Sequence, residues 1–269
     1  MTSAASSATL NLKAVQAGLR TRWLGRELAY KRRTTSTMDE GRKAALKGAT
    51  TGTLVLAEEQ RAGRGTKGRA WVSPPGENLH ATVVLRPTPA KLQRLSMLTA
   101  VAIANAVEQL YGLFPRIKWP NDLQLDGKKF AGILIEAEWE GVRPTFALLG
   151  IGVDVNFDPS PYSQELAQPV TSLALERGRA VLREPLLSAL CNALERAYDG
   201  AESDTLFTGW CSRLDSLGRA LRLQTSDGLI EGLAEGVEED GTLLLRVESG
   251  TLLRVTAAEV VDYAPAAGS

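Results

Sequence analysis

The residues best suited to chemistry lie between Ala57 and Val72, AEEQRAGRGTKGRAWV. Gly63, Gly65 and Gly68 are interleaved with Arg64, Lys67 and Arg69, and the stretch closes on Trp71. Glycines let the backbone approach a ligand and let successive N–H groups point at an anion. Arginine adds a planar fork that grips a phosphate or carboxylate, and lysine adds a point charge. Trp71 adds a flat face for a base or ring. Together they suit a nucleotide phosphate beside a planar group; a solvated basic hairpin turn is the plainer alternative. The spacing satisfies G-x-G-x-x-G, and the strand Thr53–Ala57 precedes it, but Ser73-Pro74-Pro75-Gly76 follows at once and stops a helix. No acidic residue stands about twenty positions on, and no Gly-Lys-Ser/Thr follows, so both the dinucleotide fold and the P-loop are excluded.

Three further groups could join this stretch. Thr35-Ser36-Thr37 precedes the charged run Asp39–Lys47; Ser36 or Thr37 can cap a helix there, with Glu40 as capping-box partner of Thr37, while a second hydroxyl reaches a ligand at the positive helix end. Lys128 and Lys129 follow Asp126-Gly127, a strong hairpin signal. Strand alternation sends the two lysines to opposite faces, so at most one readily points into a site; the alternative is a pair of edge-strand lysines. Asp154 and Asn156, after Gly150 and Gly152, offer hard oxygens for Mg²⁺, or simply end a strand before Asp158-Pro159. His80 is the only histidine and reads as a structural strand residue, which leaves a histidine metal site or a Ser-His-Asp triad little to draw on.

The elements that position these groups alternate. A short helix is expected over Leu12–Leu24, then strands over Glu27–Thr34, Thr53–Ala57 and Asn78–Arg86. Helical spacing of apolar and small residues from Pro89 to Gly112 predicts a long core helix. Leu123–Leu125 pairs with the apolar Phe130–Ala137 across the hairpin, Pro120 interrupts the strand before it, and Arg143–Val155 is the next strand. Helices are expected over Val170–Arg177, Glu184–Tyr198 and Ser203–Arg213. From Leu217 short strands over Arg219–Gln224, Leu229–Glu235, Thr242–Val247 and Thr251–Val255 alternate with Asp-Gly and Ser-Gly turns, which suggests a small barrel beginning near Asp215.

The 269 residues carry a formal net charge of zero, so bulk electrostatics do not suggest a nucleic-acid partner. Cys191 and Cys211 form neither a metal motif nor a disulfide framework and read as reduced thiols of a cytoplasmic protein. No apolar run approaches the roughly 18 residues of a membrane helix, and the first residues read as a loose tail.

Four blocks in order, TST at Thr35–Thr37, QRAGRGTKGRAW at Gln60–Trp71, KWPND at Lys118–Asp122 and GKKFAGILIE at Gly127–Glu136, resemble the biotin–protein ligase family. The resemblance implies an α+β fold, a mixed sheet with helices like that of class II aminoacyl-tRNA synthetases, plus a C-terminal SH3-like barrel. The division would be 1–25 for the tail and short helix, 26–214 for the catalytic domain and 215–265 for the barrel. It implies activation of biotin by ATP to biotinyl-5′-AMP, then transfer to a lysine of a biotin carboxyl carrier domain. By the same resemblance Ser36, Thr37, Met38, Gln60, Gly63, Arg64, Gly65, Thr66, Lys129, Gly132 and Leu134 contact biotin. Lys67, Arg69, Trp71, Lys118, Asn121, Asp122, Asp154 and Asn156 lie at the ATP. Lys129 bridges the carboxylate and α-phosphate with Arg64 beside it, and Asp122 and Asp154 hold Mg²⁺. It further implies the ligase-only form, without a DNA-binding domain, and allows a homodimer through the sheet; no membrane partner is expected from the apolar pattern. Two departures stand out: many relatives carry Arg in place of Thr66 and Asn in place of Asp154.

Overall fold

The computed structural model describes residues 9–201 and 203–263, so residues 1–8 of the expected tail and 264–265 of the expected barrel lie outside the described residues. α1 (Leu12–Gly18) starts at Asn11, whose side-chain oxygen accepts from Ala14 N. It stops well before Leu24 because the following backbone is claimed elsewhere. The carboxylate of Glu195 accepts the N–H groups of Arg22, Trp23 and Leu24, which holds that segment as a turn. β1 (Leu28–Thr34), α2 (Thr37–Leu46), β2 (Leu54–Gln60) and β3 (Leu79–Leu85) follow. The helix expected over Pro89–Gly112 divides at Arg94 into α3 (Pro89–Gln93) and α4 (Leu95–Tyr111), and Gly112, at a φ of 66°, ends it.

β4 (Arg116–Lys118) and β5 (Asp122–Leu125) are separated by Pro120. Asp126 and Gly127 turn the chain at φ values of 47° and 75°, as a two-residue hairpin demands, into β6 (Lys128–Glu140). β7 (Arg143–Val153) returns beside it. The large sheet runs β1-β2-β3-β7-β6-β5-β4, with β1 and β2 parallel and every other pair antiparallel, a mixed sheet as expected. Only Leu173–Arg177 of the next predicted helix forms, as α5. Its intended start is drawn onto β6, where Lys129 N donates to Pro169 O and Thr171 N to Lys129 O.

α6 (Arg183–Asp199) and α7 (Asp204–Cys211) complete the helices. α4 and α6 cover one face of the sheet. On the other face α2 packs Met38 and Ala45 on Val84, Phe146 and Leu148. Glycine and alanine allow the close approach: a Cβ on Gly41 of α2 would stand 2.8 Å from Thr82 Cγ2.

The C-terminal meander forms β8 (Ala220–Thr225), β9 (Gly228–Val237), β10 (Leu243–Arg246), β11 (Leu252–Val255) and β12 (Glu259–Tyr263). They make an antiparallel sheet in the order β11-β10-β9-β8-β12, open at its two edge strands. The sequence pattern does not announce β12, because Val260 is buried while the adjacent Val261 is half exposed. The small sheet docks beside β4 and β5, where Trp119 Nε1 donates to Gly241 O at 2.9 Å and Ser216 Oγ accepts from Trp119 N. No helix among the described residues is long and apolar enough to cross a membrane.

Candidate active site

The site is built on a floor opened by three glycines. Thr82, Gly150 and Leu134 lie side by side across β3, β7 and β6, and His80, Gly152 and Gly132 form the next row on the same face. A Cβ on Gly150 would stand 2.8 Å from Met38 Sδ, and one on Gly152 would stand 2.6 Å from the Trp71 ring. One on Gly132 would meet Trp71 at 2.9 Å and Lys129 Nζ at 3.2 Å. The indole therefore rests on bare backbone, and its Nε1 is buried with no hydrogen-bond partner among the described residues. His80 is buried in the same row. Burial, helped by the positive charge of Arg183 and opposed by Glu58, pushes its pKa down to about 4.

One wall comes from the start of α2. Ser36 is the cap, accepting from Met38 N at 3.3 Å. Thr37 is already in the helix, so the expected capping box with Glu40 does not form, and Glu40 turns to Lys43 and Thr34. Thr37 instead donates both its N–H and its hydroxyl to Gln60 Oε1, at 2.8 and 3.1 Å. The Thr82 hydroxyl donates to Thr37 Oγ1. Gln60 Nε2 donates to Ser73 Oγ, which donates to the Trp71 carbonyl. Hydroxyls, amide and loop are thus one network.

The cations are already paired. Lys129 points inward with its side chain 16 % exposed, against 52 % for Lys128, so alternation sorts them as expected. Its Nζ lies 2.5 Å from Asp122 Oδ1 and 5.3 Å from the Trp71 ring centre. Gln168 joins them, donating to Asp122 Oδ2 at 3.1 Å and accepting from Lys118 at 3.5 Å. Desolvation lowers the Lys118 pKa, with Asp122 and Glu259 opposing and Lys129 and Arg69 adding to the effect. Arg64 reaches Asp39 at 2.8 Å and Glu136 at 3.6 Å. Arg69 and Lys67 turn the other way, to Glu259 of β12, and Lys67 also donates to Gln224 O.

Three cavities meet here. The first, about 40 Å³, is bordered by Ser36, Thr37, Met38, Gln60, Arg64, Gly65, Thr66, Trp71, Asn121, Asp122, Lys129, Gly132 and Leu134. Gly63 does not border this cavity; a Cβ there would stand 2.5 Å from the Trp71 carbonyl oxygen. The second, about 630 Å³, opens between the two sheets and gathers Lys67, Arg69 and Lys118. The third, about 150 Å³, lies beyond Trp71 and includes Asp154 and Lys129. Asn156 borders none of the three. Its side chain is spent on Val181, donating to the carbonyl at 2.9 Å and accepting the N–H at 2.8 Å.

Both aspartates have partners within the chain. β7 ends at Val153, and Asp154 is buried beyond it, accepting from Asn78 Nδ2 at 2.9 Å. Burial pushes its carboxyl pKa well above the ordinary value, with Lys129 opposing and Glu77 adding to it. Asp122 is already in an ion pair with Lys129. Among the described residues no three His, Cys, Asp or Glu side chains gather as a metal site. Sequence reading missed Asp39, Ser73, Glu136, Gln168, Gln224 and Glu259. Apart from Ser73, which bonds Trp71 two residues away, each reaches the site through a contact distant in sequence.

Residues 30–155 match the Biotin/lipoate A/B protein ligase family, and residues 216–261 match the Biotin protein ligase C terminal domain. The biotin–[acetyl-CoA-carboxylase] ligase of Paracoccus denitrificans is 38 % identical over 238 residues, 85 % of this chain and 97 % of that protein. The bifunctional ligase/repressor BirA of Bacillus subtilis is 33 % identical over 245 residues, 88 % of this chain and 74 % of that protein. Among solved structures, the biotin protein ligase from Aquifex aeolicus in complex with biotin and ATP superposes with a TM-score of 0.74 at 25 % identity, covering 87 % of this chain and 97 % of that one. The large mixed sheet with its helices is the fold they share.

Proposed function

The chain belongs to the biotin protein ligase family, and from that premise we propose how its own residues carry out the family's reaction. It is an ATP-dependent ligase that activates biotin and transfers it to a carrier protein. In the first step a biotin carboxylate oxygen bonds to the α-phosphorus of ATP and pyrophosphate leaves. In the second, a carrier lysine bonds to the acyl carbon and AMP leaves.

Phosphoryl transfer asks a protein for position and charge more than for covalent chemistry. In this reading biotin lies in the first cavity, beside the backbone of Gly132 and Leu134, where Met38 and Leu134 supply apolar contact and Ser36, Thr37 and Gln60 supply polar partners. The observation that carries the reading is Lys129, which stands between the first and third cavities beside the Trp71 ring. There it exchanges Asp122 for the biotin carboxylate and the α-phosphate, and the base lies against Trp71. A preorganised donor at that point contributes roughly 3 kcal/mol to the transition state. Lys118, Lys67 and Arg69 face the phosphates from the groove between the sheets, with Asn121 pinned between them by its bonds to Ile133. A cavity of about 40 Å³ has room for only a few waters, so the loop Gly63–Gly68, with Arg64 and Thr66, opens to admit biotin and closes over it.

This reading keeps the metal with the phosphates of the nucleotide, because Asp154 is buried against Asn78 and Asp122 also accepts from Gln168. The open five-stranded sheet from β8 to β12 is read as the family's SH3-like module, with residues 26–214 as the catalytic domain and the cytoplasm as its place. The test is biotin-dependent ATP–pyrophosphate exchange, with lipoate and octanoate as controls. Exchange with biotin alone is expected; exchange only with another acid overturns the substrate.

A further inference from the structure

The loop that closes the site is fastened in two places. Its base is tied to the end of β1, where Arg61 N donates to Thr34 O and Ala62 N to Thr35 O. Within the loop, Gly65 N donates to Arg69 O and Trp71 N to Gly63 O, so it behaves as a small hairpin carrying Arg64 on one side. That arginine spans the mouth of the first cavity, from the first turn of α2 to β6. Its Nη1 donates to Asp39 Oδ1 at 2.8 Å, while its Nη2 stands 3.6 Å from Glu136 Oε1, beyond hydrogen-bond length. Glu136 is shared, lying 3.2 Å from Arg42, which also pairs with Glu138. Asp39 is the firmer partner and is itself oriented, because the Thr35 hydroxyl donates to its other oxygen at 2.8 Å. Both carboxylates stand outside the cavity, so they aim the guanidinium across it without entering it.

We propose that Asp39 is a positioning residue for the ligase reaction, holding Arg64 across the mouth of the pocket so that the loop stays closed over the activated acid. The inference rests on the function proposed above for its consequence, and on the geometry alone for the hold itself. A partly exposed pair of this kind has a modest effect, and guanidinium needs a planar acceptor at the right distance. Asp39→Asn keeps the shape and removes the charge.

The experiment pairs two measurements on the full chain. Amide hydrogen exchange is followed without ligand, and the half-time of enzyme-bound biotinyl-5′-AMP is followed after a chase with unlabelled biotin. In Asp39→Asn, exchange across residues 62–70 accelerates several-fold while α4 is unchanged, and the intermediate is lost about fivefold faster. Asp39→Glu restores part of both effects, and Glu136→Gln does less than either Asp39 variant. Unchanged loop exchange in Asp39→Asn overturns the proposal whatever the enzyme does. Exchange that rises through α2 and the sheet as well overturns it too, because Asp39 would then act on the fold. Faster loop exchange with an unchanged half-time removes the link to retention. If the wild-type protein makes no biotinyl-5′-AMP, the functional reading falls, and the exchange arm still decides whether Asp39 holds the loop.

Discussion

The Arg183–Glu58 pair behind the sheet and the Lys129–Asp122 pair in the site are both withdrawn from water, with side-chain exposures of 6 and 7 % for the first and 16 and 15 % for the second. Their surroundings differ. Glu58 Oε1 accepts from Leu10 N, the Tyr30 hydroxyl and Arg183 Nη2, and its Oε2 accepts from Arg183 Nη1 at 2.7 Å. Those bonds outweigh the effect of burial and hold its carboxyl pKa below the ordinary value. Every oxygen is committed to joining the N-terminal segment, β1, β2 and α6. Lys129 has one close carboxylate, an aromatic face, and a cavity on each side. A buried charge with saturated partners holds elements together, whereas one bordering open space keeps donors for a ligand.

The largest effect expected from this contrast is on stability. Glu58→Ala takes the carboxylate from a buried guanidinium, so unfolding in denaturant is expected to lose about 3–5 kcal/mol. Biotin-dependent pyrophosphate release per folded molecule should hardly change. Lys129→Ala should do the reverse: adenylation falls about a hundredfold, roughly 3 kcal/mol, with the melting temperature nearly constant. Near-normal adenylation in that variant would break the comparison.

His80 sharpens it, because it stands in the glycine row of the floor yet feels the charges of Arg183 and Glu58. Its folded pKa is about 4 against an ordinary 6.5, so between those values the unfolded chain binds a proton that the folded chain refuses. Stability therefore falls as the pH drops through that window, by up to about 3 kcal/mol, and His80→Gln should flatten the slope of unfolding free energy between pH 7 and pH 4. The smallest effect belongs to a third kind of pair. Arg222–Glu231 on the small sheet is about half exposed at both ends, and Glu231→Gln should change stability by no more than about 0.5 kcal/mol, and less still in high salt.

Much of this molecule is local in origin. The Asp126-Gly127 turn, the opposite faces of Lys128 and Lys129 and a helix cap at Ser36 or Thr37 all follow from spacing and backbone preference over a few residues, while the fold selected Lys129 as the inward lysine and Ser36 as the cap. The rejection of a dinucleotide fold is local too, since the loop holds only a 3-10 turn at Thr66–Gly68 and the next element is β3 rather than a helix. Local signals failed where a distant partner took the backbone. Leu12–Leu24 is shortened because Glu195 claims residues 22–24, and the helix after Val170 starts late because β6 binds residues 169–171.

The chain order alone thus determined the types of group available: a basic glycine loop, a pair of hairpin lysines on opposite faces, strand glycines and a hydroxyl-rich helix start. Only the tertiary structure decided how they are partnered. Asp39 and Glu136 meet Arg64, Gln168 bridges Lys118 and Asp122, and Asn156 is spent on Val181. The physical reason is that propensity and alternation act over a turn or a strand, whereas charge pairing and burial depend on which segments the closed sheet brings within a few ångströms.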